Sequence, residues 1–141
     1  MKVLVIDGQG GRMGKSIIEQ LKKNCPTPGI FNLYGIGTNS NATLAMMKAG
    51  ADYGATGENP IIVNSKDADI IVGPVGIVIA NSLLGEITPA IAAAIGSSSA
   101  YKILIPINRC NHMIIGCKDA PLSEYLQQVC QEVFRKINET V

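Results

Sequence analysis

Strand-forming and helix-forming segments alternate along this chain, which predicts an α/β fold: a parallel sheet with helices on both faces, in one domain. Three observations carry the prediction. Residues 3–6 and 70–72 are unbroken apolar runs, the pattern of strands buried on both faces. Segments of helical spacing lie between such runs; Met13, Ile17 and Leu21, for example, share one face. Apolar residues make up 47% of the chain and charged residues only 16%. That excess suits a doubly covered sheet or a surface shared with a second copy, so a homo-oligomer is expected. With 141 residues there is room for one domain with a real core, residues 1–141.

Taken in order, residues 2–6 form the first strand and residues 12–23 the first helix. Asn24-Cys25-Pro26-Thr27-Pro28-Gly29 ends that helix, because two prolines and a glycine cannot continue it. Residues 33–37 form a second strand. The polar turn Thr38-Asn39-Ser40-Asn41 is suited to capping a helix over 42–48, which Gly50 stops. Residues 51–59 read as loop and 60–63 as a short extended piece. Asp67-Ala68-Asp69 leads into the strand at 70–72, closed by Gly73-Pro74-Val75-Gly76. Residues 77–84 carry two signals. Their β-branched residues favour strand, while their position after a Gly-Pro turn favours a helix crossing the sheet, and helix is the reading taken. Thr88-Pro89 starts the next helix, a capping hydroxyl followed by proline at the first helical position. It runs to Ile95, before Gly96-Ser97-Ser98-Ser99. Residues 102–107 read as strand and 113–116 as another. Pro121 opens the last helix, where Leu122, Tyr125, Leu126, Val129, Val133, Phe134 and Ile137 keep helical spacing, a stripe for core packing.

Right-handed crossovers place the loops that follow the strands along one edge of such a sheet. A ligand is then expected at the carboxyl ends of the first strand and of the strand ending at Val72, beside Gly73. The loop after the first strand is Gly8-Gln9-Gly10-Gly11-Arg12-Met13-Gly14, four glycines in seven positions, opening directly into a helix. Strand, glycine turn and helix bring backbone amides and a positive helix end to a phosphate. Two templates compete for it. Gly8 and Gly10 fit the first two positions of the dinucleotide fingerprint G-x-G-x-x-G, with Gly14 one residue late; read as G-x-x-G-x-x-G, Gly8, Gly11 and Gly14 all fit. The rival is the P-loop G-x-x-x-x-G-K-[ST], whose end is supplied by Gly14-Lys15-Ser16. Its first glycine falls on Gln9, and Asp69 precedes its strand rather than ending it to hold magnesium. The dinucleotide template fits better, which makes the fold class a three-layer, Rossmann-like parallel sheet. An ATP-binding phosphotransferase using Lys15 and Ser16 is the second reading, and an oligomeric structural protein with a ligand-free glycine turn the third.

The glycine loop resembles the G-x-x-G-R-M-G nucleotide loop of dihydrodipicolinate reductases, which use NAD(P)H. That resemblance covers only the opening strand, loop and helix, and it implies cofactor binding through Gly8, Gly10, Gly11, Arg12, Met13 and Gly14. The second domain of those reductases, with its histidine and lysine motif, has no room in 141 residues, so the reaction is not implied. Over its whole length the chain resembles a family of short, uncharacterised bacterial proteins. The features shared are the glycine loop, residues 81–89 and Ile105-Pro106-Ile107-Asn108-Arg109-Cys110-Asn111, and no activity comes with them.

Cofactor choice rests on the turn after the second strand. NAD-specific folds place Asp or Glu there to bond the ribose 2′-hydroxyl. Thr38-Asn39-Ser40 are neutral donors and Arg12 opens the first helix nearby, so Thr38, Asn39 and Arg12 suit a 2′-phosphate and NADP is expected over NAD. Asp7 is read as ordering its turn. Asn108 and Arg109 lie beyond a strand at the ligand edge, where amide and guanidinium groups bond phosphate or carboxylate; Asn81 and Ser82 join them if their segment folds back over the site. Cys110 and His112, the one histidine, offer a nucleophile–base pair, but alternate residues need not touch, and the reading taken is a polar loop with a buried cysteine. With Cys117 they give three metal ligands and no fourth, so no metal is expected. The expected function is a small dinucleotide-binding protein, either a minimal oxidoreductase or a cofactor sensor.

Other classes are disfavoured. A net charge of +1 without a basic run gives no pull toward nucleic acid. The apolar uncharged stretch at residues 70–85 is broken by Pro74, glycines and Asn81, so no membrane span is expected. No secretory core precedes Asp7, and the four scattered cysteines read as reduced thiols in a cytoplasm.

Overall fold

A computed structural model of the chain describes residues 1–107 and 111–140. Five parallel strands alternate with helices: β1 (Lys2–Asp7), α1 (Arg12–Lys23), β2 (Asn32–Gly37), α2 (Ser40–Lys48), β3 (Tyr53–Thr56), α3 (Glu58–Ser65), β4 (Ile70–Pro74), α4 (Pro89–Ser97), β5 (Tyr101–Ile105) and α5 (Leu122–Thr140). The strand order is β3-β2-β1-β4-β5. From β1 the chain steps outward to β2 and β3, then returns through α3 to pair β4 with the other side of β1, Val5 facing Val72. The order therefore reverses between β1 and β4, the switch point outside whose carboxyl ends folds of this class take ligands.

Alternation along the strands divides the core. Val3 and Val5 face one way and pack with Ile17, Ile18 and Leu21 of α1, Met46 of α2, and Leu126, Val129, Val133 and Ile137 of α5. Leu4 and Ile6 face the other way and pack with Ile61 of α3 and Ile91 and Ile95 of α4. Helices α1, α2 and α5 thus cover one face and α3 and α4 the other, giving a three-layer, Rossmann-like sandwich. Residues such as Leu4, Ile6, Ile17 and Ile71 are fully buried, each stabilising the fold by roughly 1.5–3 kcal/mol. Among the described residues no helix is long and apolar enough to cross a membrane.

Four stretches differ from the sequence reading. The expected loop at 51–59 contains β3, an edge strand whose Tyr53 is exposed and stacks on Tyr34 of β2; two-sided exposure removes the apolar run that marks a strand. The expected extended piece at 60–63 lies inside α3, with Pro60 in the first turn, where its missing N–H has no partner to lose. The expected helix at 77–84 is a 3-10 turn, Val75–Val78, followed by a compact strap. The expected strand at 113–116 is absent: Met113 and Ile115 are exposed, and Gly116 turns the chain with φ +85°. The ends of other elements shift by one or two residues, as at β5.

Candidate functional site

The glycine loop bridges the carboxyl end of β1 and the start of α1, at the point where the strand order reverses. Each glycine can be asked what a side chain would meet. At Gly8 a Cβ would stand 2.7 Å from the Thr38 hydroxyl, and at Gly14 it would stand 2.6 Å from the Met46 sulfur and 2.9 Å from the Asp7 Cβ. Gly11 has φ +72° and its Cβ would lie 2.6 Å from the Ala42 Cα, so α1 and α2 meet only because that position is bare. Gly73 is buried with its Cβ direction aimed at the Ile6 carbonyl, 2.5 Å away, and lets β4 lie against β1. Gly10 differs: it is exposed, nothing lies within 4 Å of its Cβ position, and its φ is not left-handed.

Asp7 sits beneath the loop, buried at 5% exposure. Its Oδ1 accepts from the Gly8 amide at 2.8 Å and its Oδ2 from the Gly14 amide at 2.7 Å. It therefore caps α1 from the strand side, a role Gly11 at the N-cap lacks a side chain to fill. Burial pushes the Asp7 carboxyl above the usual carboxylate range; the Gly14 and Gly8 amides pull the other way, and the nearby Glu86 charge adds to the rise. The expectation that Asp7 orders the turn matches this geometry.

The turn after β2 packs against the same loop. The Thr38 amide donates to the Asp7 carbonyl at 3.0 Å. Asn39 caps α2, its Oδ1 accepting from Ala42 N at 3.0 Å, while its Nδ2 donates to the Gln9 carbonyl at 2.9 Å. Over these groups lies Glu86, which the sequence reading did not single out. Its Oε1 accepts from the Thr38 hydroxyl at 2.9 Å and from Asn39 Nδ2 at 2.6 Å, and its Oε2 accepts from the Gln9 amide at 2.9 Å. One signal is in the sequence: Glu86 is the single acidic residue between Asp69 and Asp119 and the single charged residue between Asp69 and Lys102.

Gly8, Gly10, Gly11, Arg12, Gly14, Thr38, Asn39 and Gly73 thus gather on one edge. Arg12 is exposed at the first position of α1. Met13 turns its side chain into the core, which leaves only its backbone to the loop. Asn81 is exposed and Ser82 buried in the strap that carries Glu86, and the Ser82 hydroxyl donates to the Gly76 carbonyl. Lys15, the lysine of the P-loop reading, lies on the outer surface of α1 with its Nζ 4.0 Å from Glu19. Asn108, Arg109 and Cys110 lie outside the described residues. His112 is exposed, and the Cys117 sulfur lies 3.7 Å from the Tyr125 hydroxyl. Among the described residues no group of three or more His, Cys, Asp or Glu is placed to hold a metal ion.

The chain belongs to the family described as a domain of unknown function, DUF3842, whose model matches residues 2–138. No curated protein and no solved structure matches it.

Proposed function

We propose that the protein binds an adenine dinucleotide at the carboxyl edge of its sheet, with the diphosphate over the glycine loop. The observation that carries this reading is Gly10. Gly8, Gly11, Gly14 and Gly73 are each explained by what their missing side chains would strike inside the protein. Gly10 has open space where a Cβ would stand and a backbone that any residue adopts. A glycine there makes sense where a ligand approaches the backbone closely. The switch-point position of the loop supports the same reading. So does exposed Arg12 beside it, a guanidinium suited to a diphosphate. The phosphotransferase reading is weakened by Lys15, which pairs outward with Glu19. The titratable side chains bonded into the loop, Asp7 and Glu86, are both acceptors of backbone hydrogen bonds. They suit positioning rather than proton delivery to a nicotinamide, so binding or sensing is the role proposed.

The test is calorimetric titration of the purified chain with NADH, NADPH and ATP–magnesium, beside a Gly10→Leu variant. At least one dinucleotide is expected to bind, and Gly10→Leu is expected to lower its affinity tenfold or more while Tm stays within a few degrees of the parent. Heat from ATP–magnesium alone, or unchanged binding in Gly10→Leu, would count against the reading.

A further inference from the structure

We infer that Glu86 reads the ribose of the bound nucleotide, selecting a free 2′,3′-diol over a 2′-phosphate. This rests on the dinucleotide reading above and names which dinucleotide the site takes. In folds of this strand order, an acidic residue at the end of the second strand accepts from the ribose hydroxyls. Here the second strand ends in Thr38-Asn39-Ser40, all neutral, and on that ground a 2′-phosphate is the expected guest. The folded chain brings a carboxylate to the same place from a different connection. Glu86 stands on Thr38, Asn39 and Gln9 at 2.6–2.9 Å, between the end of β2 and the glycine loop. An added Cβ on Gly8 would come within 3.5 Å of Glu86 Oε2.

The strap holds that carboxylate by means other than its own bonds. Asn81, Leu83, Leu84 and Gly85 all have left-handed backbone, φ +66°, +54°, +56° and +88°. Leucine seldom adopts that conformation, and strain of this kind persists only where the surroundings over-determine it. They do so here. Leu83 and Ile87 are buried in the α3–α4 core, the Asn81 amide donates to the Ile87 carbonyl at 2.6 Å, and the Ser82 hydroxyl is tied to Gly76. The side chain is therefore presented in a fixed place.

Its chemistry follows. A carboxylate has about four acceptor positions, and three are used by Thr38, Asn39 and Gln9, leaving capacity for a hydroxyl donor. A diol donates hydrogen bonds and fits. A 2′-phosphate brings only acceptors and negative charge to the same spot, a like-charge contact that discriminates by on the order of tenfold or more.

The experiment is fluorescence titration of NADH and NADPH on the whole chain and on Glu86→Gln, which keeps size and one carbonyl acceptor and removes the charge. The parent is expected to favour NADH by about tenfold or more, and Glu86→Gln to reduce that ratio by about tenfold, chiefly through tighter NADPH binding. A parent that binds NADPH as tightly as NADH overturns the role given to Glu86 and leaves dinucleotide binding standing. So does a Glu86→Gln variant that binds both more tightly by the same factor, since the carboxylate would then be an internal plug of the loop. A parent that binds neither nucleotide overturns both readings. The parent's own ratio decides the matter if the variant does not fold.

Discussion

Two connections meet at the carboxyl edge, and both are built on left-handed backbone. The glycine loop makes its decisive turn at Gly11, φ +72°, with Gln9 at +50°. The strap at residues 81–86 makes its turns at Asn81, Leu83, Leu84 and Gly85. In the first, glycine takes the left-handed turn at Gly11, and the one strained residue is Gln9, whose amide is held by Glu86. In the second, leucines are held in a conformation they resist, because Leu83 and Ile87 are anchored in the core and Ser82 is bonded to Gly76. The glycine loop is local chemistry; the strap is tertiary chemistry. What the strap gains is a carboxylate set against the turn after β2.

The largest effect that would break this contrast lies at Gly11. An alanine there takes on the left-handed cost, about 1 kcal/mol, and its Cβ would press on the Ala42 backbone at 2.6 Å, which cannot swing aside. Gly11→Ala is expected to lower stability by roughly 2–4 kcal/mol in urea unfolding. Gly10→Ala, three bonds back along the chain, is expected to stay within about 0.5 kcal/mol of the parent. Equal losses at both positions would mean that the loop has no division between packing glycines and an open one.

The same contrast explains how much was legible in the sequence. The alternating fold, β1, the glycine loop and α1 could be read because apolar runs and glycines are direct marks of buried strands and left-handed turns. Thr88-Pro89 marked the start of α4, and Thr88 does accept from the Ile91 amide at 3.1 Å. Pro60 misled because a proline in the first helical turn looks the same, residue by residue, as one in an extended piece. β3 was hidden by its exposure and by Gly54, whose Cβ position falls 2.5 Å from the Met47 sulfur. The strap was hidden because isoleucine, valine and leucine at 77–84 say nothing of a left-handed turn. The strap carries Glu86, the acidic group that the neutral turn after β2 lacks.

Asp7 is the carboxylate beneath the loop, as Glu86 is the one bonded to it from the strap. Burial raises its pKa in the folded chain above the unfolded value. The native state then holds the proton more readily than the unfolded state, so the stability this group contributes is full below the ordinary carboxyl range and is lost as pH rises through the raised folded pKa. Asn at this position cannot titrate and loses one amide acceptor at every pH. Denaturant unfolding across the acid range is therefore expected to show the stability advantage of the parent over Asp7→Asn shrinking as pH increases. An advantage that grows with pH would mean that the Gly8 and Gly14 amides, not burial, dominate Asp7.

Leu84 gives the smallest effect and the cleanest reading of the strap. Its side chain is 97% exposed while its backbone sits at φ +56°. It carries the conformational cost without burial in return. Glycine would relieve about 1 kcal/mol of that cost and lose part of it again to the greater freedom of the unfolded chain. Leu84→Gly is expected to raise stability by about 0.5 kcal/mol, read as a small upward shift in Tm, with the NADH to NADPH ratio unchanged. The unchanged ratio follows because Glu86 is positioned by Leu83, Ile87 and Ser82, none of which this variant touches. A ratio that moves would show that the leucine's stiffness, rather than the anchored residues around it, sets the carboxylate in place. A loss of more than about 1 kcal/mol would show that the exposed side chain has contacts in solution, and the strap would then be a surface as well as a support.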